Sequence, residues 1–93
     1  MPTIHANLSV EEVETLSPSE FISYLNTKKV ELFLNDIHIN ILADQEVSGH
    51  TFLRLTEQKL LNPPYNLPGG PVLGIARLVK QLNNQSKFYH NIV

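Results

Sequence analysis

The run NPPYNLPGGPVLGIARLVKQL, residues 62–82, forces one helix to end and another to begin. It holds four of the chain's six prolines and three of its four glycines, and then turns into a regular helical pattern. Pro63 and Pro64 lack amide donors and push their predecessors out of the α region, so a helix arriving from the N-terminal side must stop there. Gly69 and Gly70 permit a tight approach or a positive φ, and Pro71 pre-sets the first helical turn. Beyond them Ile75, Leu78, Val79 and Leu82 form an apolar stripe opposite Arg77, Lys80, Gln81 and Asn84. That pattern predicts a long final helix with one face in a core.

The same signals place shorter helices upstream. In SPSEFISYL, Ser17 is an N-cap, Pro18 fits the first turn and Glu20 closes a capping box, so a helix carrying Phe21, Ile22, Tyr24 and Leu25 starts there. The preceding acids in VEEVE read as a solvated face ahead of this first helix rather than a catalytic pair, since nothing apolar nearby would raise a carboxylate's pKa. In VELFLNDIHINILADQEV, Ile37, Ile39 and Ile41 alternate like a strand, while Ile37, Ile41 and Leu42 make a helical stripe behind a cap at Asn35. No second segment alternates in this way to pair with a strand, so helix is expected. Ser48 and Gly49 open a short helix with Phe52, Leu53 and Leu55, and Thr56 caps another with Leu60 and Leu61. Five helices joined by short loops make a compact all-α bundle.

Ninety-three residues suffice for one modest core. The expected layout is a flexible N-terminal arm over 1–9, a helical domain over 10–84 and a polar tail over 85–93. Without cysteine, disulfide frameworks and cysteine zinc sites are excluded, which fits a reducing compartment and makes the cytoplasm the expected location. No apolar run approaches the ~18 residues of a membrane span. The net charge is only −2, but its distribution is uneven. Residues 1–53 carry eight acids against Lys28 and Lys29, whereas residues 54–93 carry Arg54, Lys59, Arg77, Lys80 and Lys87 against Glu57.

The order of these elements resembles the sterile alpha motif, or SAM, domain, over about residues 10–84. Tyr24-Leu25 is similar to the family's aromatic-leucine pair, and Val47-Ser48-Gly49 to its Ile-Asp-Gly-like corner. Phe52-Leu53-Arg54-Leu55-Thr56-Glu57 is similar to its leucine and threonine run, and Leu67-Pro68-Gly69-Gly70-Pro71 to the step into its last helix. EVSGHTFLRLTEQKL and LPGGPVLGIARLVKQL look like the divergent SAM domains of fungal proteins. Tyr24 stands where the family usually has tryptophan, and NPPYN adds residues before the last helix.

An enzyme is not expected. His5, His38, His50 and His90 lack metal-ligand spacing, and the glycine pair follows a helix rather than a strand and lacks a phosphate-loop lysine. No cofactor or metal is implied. The resemblance instead implies a non-enzymatic interaction module, a scaffold or signalling domain whose partner is another SAM domain or a further copy of this chain. In that family an acidic mid-loop surface commonly meets the start of the last helix of the next copy. By position, the acidic surface would hold Asp36, Asp44, Gln45, Glu46 and His50. The end-helix surface would hold Gly70, Pro71, Val72, Leu73, Arg77 and Lys80. Such heterologous contacts propagate into rings or filaments. The alternative is the RNA hairpin binding of a minority of SAM domains, for which five scattered bases on an acidic chain are a thin footprint.

Overall fold

The structure is a computed structural model that describes the backbone of residues 8–92 and the side chains of residues 8–85. Residues 1–7, and with them most of the expected N-terminal arm, lie outside the described residues.

Five short helices begin on a polar side chain that takes up an otherwise unpaired backbone amide. In α1 (Val10–Glu14) Ser9 and Glu12 form a reciprocal capping box, and in α2 (Pro18–Lys28) Ser17 and Glu20 do the same with Pro18 in the first turn. Asn35 and His38 cap α3 (Asp36–Asp44), the ring Nδ1 of His38 accepting from the Asn35 amide at 3.2 Å. Ser48 caps α4 (Gly49–Phe52) and Thr56 caps α5 (Glu57–Leu61). The chain closes with α6 (Gly69–Ile92).

The all-α architecture with a long last helix is as expected, with one helix more at the front. Glu11 and Glu12 of VEEVE face solvent as expected, but the segment is itself a helix, α1, rather than a lead-in to one, with Val10 and Val13 buried. Five residues are too few to show a 3.6-residue period, and the sign to read was the Ser9-x-x-Glu12 box. The ambiguous middle segment is helical, but its inward residues are Ile39 and Leu42, and Ile37 is turned out to solvent.

One core unites the helices, with Val13, Phe21, Tyr24, Leu25, Leu42, Phe52, Leu60 and Ile75 fully enclosed. Phe21 of α2 meets Phe52 of α4 with ring centroids 4.6 Å apart and planes tilted by 42°. Such a pair adds about 0.5–1.5 kcal/mol beyond the area it buries.

Tyr24 is enclosed as well, and its hydroxyl has no hydrogen-bond partner among the described residues. Burial, aided by the negative charge of Glu31, pushes its pKa up to about 12. The unfolded phenol ionises near pH 10. The raised value means that this group's contribution to stability is fully present below about pH 10 and is lost as pH climbs through 12. Tyr24→Phe should therefore keep or raise the melting temperature at pH 7 and flatten its fall above pH 10. A variant that melts well below wild type at neutral pH would show that the hydroxyl holds the core together.

The exits of α2 and α3 share one device. Leu34 N–H donates to Lys29 O at 2.9 Å and Phe33 N–H to Val30 O at 3.3 Å, while Val47 N–H donates to Leu42 O and Glu46 N–H to Ala43 O. These crossed bonds need a left-handed residue between helix and exit, a place where glycine is usual. Here Phe33 (φ 58°) and Glu46 (φ 52°) occupy it. For an L side chain the left-handed region costs roughly 1–2 kcal/mol.

The entry to α6 differs from expectation. The helix begins at Gly69, with Val72 N–H donating to Pro68 O at 3.1 Å. Pro71 thus occupies the third helical position, where a missing amide loses nothing. Neither Gly69 nor Gly70 has a positive φ, and a Cβ on either would meet nothing within 4 Å. They leave the helix start bare rather than making a tight turn. The Pro63–Pro64 peptide ahead of it is cis.

Candidate functional site

The exposed side of α6 follows directly from helical spacing. Gly70, Leu73, Arg77 and Lys80 are three, four and three residues apart, which puts them on one face, and all four are exposed. Pro71 and Val72, also expected in the end-helix surface, turn inward and are buried, Val72 retaining only 1 % exposure. They support this face from beneath and are not available to a partner. Arg77 and Lys80 have no acidic partner among the described residues.

Pro68, the residue before this helix, has no side-chain oxygen, and no side chain among the described residues caps the Gly69 and Gly70 amides. The partial positive charge of the helix start lies at the Gly69 end of this face, about 12 Å along the helix from Arg77.

The expected acidic surface divides. Asp44, Gln45 and Glu46 lie together at the end of α3, all exposed, and neither acid has an ion-pair partner among the described residues. Carboxylates are poorly placed beside the negative end of a helix dipole, so this corner is not arranged for stability. Asp36 stands apart, about 12 Å away at 1.5 Å per residue, and its carboxylate is bound by Lys29 Nζ at 2.7 Å.

His50 also has a partner. Its Nδ1 lies 2.8 Å from Glu14 Oε1, and Arg54 adds a contact at 3.6 Å to the same oxygen while donating to His50 O at 2.6 Å. This cluster ties α4 to α1 across 36 residues of chain. It also balances Arg54, one of the five bases on which nucleic-acid binding would rest. Arg54 and Lys59 border a cleft of about 530 Å³ walled by Leu55, Pro63, Pro64 and Tyr65, while the Lys87 side chain lies outside the described residues.

Large apolar side chains are also exposed, and of these only Leu73 was among the expected site residues. Val30 is 86 % exposed, Phe33 73 %, Ile37 69 % and Leu73 57 %. They make up four of the five large apolar side chains exposed among the described residues, the other being Leu61. The turn between α2 and α3 rests on α6 at Gly74, where an added Cβ would come within 2.6 Å of Leu32 O. That seat brings Phe33 and Leu73 near each other, their Cα atoms within roughly 12 Å by chain geometry.

Among the described residues no group of three metal-binding side chains comes together, and no helix is long and apolar enough to cross a membrane. The geometry is that of a small all-helical domain whose distinctive chemistry lies in two oppositely charged surface regions. The chain belongs to the family of SAM-like domains, whose model matches residues 1–81. Such domains are typically non-catalytic modules for binding other proteins. No curated protein and no solved structure matches the chain.

Proposed function

We propose that this domain associates with SAM domains, further copies of itself included, by placing the acidic end of α3 against the exposed face of α6. The observation that carries the reading is a pair of opposite charge sets without ion-pair partners among the described residues: Asp44 and Glu46 on one element, Arg77 and Lys80 on another. Complementary fields of this kind speed encounter and fix register. Because the two regions differ, each copy keeps one free after the first contact, and association proceeds head to tail into a ring or filament.

The test is sedimentation velocity over a wide concentration range at low and moderate salt. Wild type should form larger species that shrink as salt screens the joint. Asp44→Lys with Glu46→Lys should weaken association at least about tenfold, equivalent to about 1.4 kcal/mol. The fold should survive, since a lysine suits the end of a helix better than an acid. If the double variant sediments as wild type does, the acidic corner is not the contact.

A further inference from the structure

We infer that Phe33 is the apolar anchor of the α6 half of this joint, and that the patch of Val30, Phe33 and Leu73 is covered by the acidic α3 corner of a second copy. The inference rests on the self-association proposed above and names the part of the contact that charge alone leaves out. Phe33 occupies a position that suits glycine best, at φ 58°, and the residue is 73 % exposed. A side chain so placed adds little to the core and strains the backbone, so folding gives no reason for a phenylalanine there. Backbone strain at a solvent-facing residue points to a role in recognition.

Charge selects the occupant. Leu73 shares the α6 face with Arg77 and Lys80, so a partner that covers it must meet these two cations, which have no acidic partner among the described residues, within the next two turns. Asp44 and Glu46 of another copy supply the matching carboxylates, and Ala43, exposed beside them, offers a small apolar surface on which an aromatic ring can rest. Lys29 and Asp36, which flank the turn in sequence, are already paired with each other at 2.7 Å. An apolar centre with a charged rim is the usual anatomy of a specific contact, and a central aromatic is the usual hot spot.

Phe33→Gly separates this role from a structural one, because glycine relieves the left-handed strain while removing the ring. Sedimentation equilibrium and thermal melting of Phe33→Gly, Phe33→Tyr and wild type, all as the full 93-residue chain, form the experiment. Phe33→Gly should melt no lower than wild type and self-associate at least about tenfold more weakly, the loss expected at a hot spot. Phe33→Tyr should retain association. Equal association of Phe33→Gly and wild type would remove the anchor and leave the charge pairing standing. A lower melting temperature in Phe33→Gly would give the residue a structural role instead. A wild type that stays monomeric at every concentration would overturn both the self-association and this occupant.

Discussion

Gly49→Ala is expected to unfold this domain at physiological temperature or bring it close to doing so. Gly49 opens α4, and a Cβ there would sit 1.6 Å from the carbonyl oxygen of Val13, 2.8 Å from its carbonyl carbon and 3.2 Å from Leu16 Cβ. The obstructing atom is backbone at the end of α1, held in place by Val13, which is fully buried. No rotamer change can make room. The same approach is secured by a hydrogen bond from Gly49 N–H to Leu16 O at 3.0 Å, so parting the two segments also breaks that bond. Alanine would otherwise gain about 1 kcal/mol of helix propensity over glycine, too little to reverse the outcome. A loss of at least about 3 kcal/mol is expected from strain and lost packing, against a total of about 5–15 kcal/mol for a domain of this kind. At about 4–8 °C per kcal/mol, the melting temperature should fall by roughly 12 °C or more. Circular dichroism melts of the two proteins decide the matter, and a drop of only a few degrees would mean that α4 does not seat on α1 as described.

Gly49 also shows what pattern reading reached and where it stopped. The corner Val47-Ser48-Gly49 was legible because Ser48 is a cap and glycine a common helix opener, but its reason is space against another helix rather than backbone freedom. That reason depends on a partner 36 positions upstream, and no local pattern carries it. Likewise the caps at Ser17, Asn35, Ser48 and Thr56 act within four residues, so the helix starts could be read directly. The α6 stripe was equally plain, because Ile75, Leu78, Val79 and Leu82 repeat over two turns and all four are buried.

The surface was harder to read. Arg77 and Lys80 are exposed as the helical period implies, and Val72 is inward for the same reason. His50 and Asp36 looked like free members of an acidic region, yet each is held by a residue whose proximity only the fold creates, Glu14 and Lys29 respectively. Phe33 is not marked by its sequence context, since an aromatic in an apolar run is ordinarily a core residue. Its exposure follows from the crossed hydrogen bonds of the turn, which set it left-handed and send Leu32 and Leu34 inward in its place.

Gly74→Ala is the second substitution for which a large effect is expected, and its sign is the informative part. In the middle of an ordinary solvent-facing helix this change stabilises by about 1 kcal/mol. Here the new Cβ would approach Leu32 O at 2.6 Å, with Leu32 C and Cα each at 3.1 Å, so three backbone atoms of the α2–α3 turn stand in its way. Moving that turn off α6 loosens Leu32 and Leu34, both only 6 % exposed. Overpacking of this kind costs about 1–3 kcal/mol, so after the helix-propensity gain of about 1 kcal/mol a net loss near 1 kcal/mol should lower the melting temperature by about 4–8 °C. The fold should survive, since the core residues of α1, α4 and α5 are untouched. The turn also carries Phe33 and Val30, while Gly74 follows Leu73 directly, so the displacement separates the apolar patch from the cationic face. Gly74→Ala should consequently weaken association more than Arg77→Ala does, although it removes no charge and no exposed side chain. A rise in melting temperature, as for a free helix surface, would show that the turn is not seated on α6. A fall with association unchanged would show that patch and cationic face do not act as one surface.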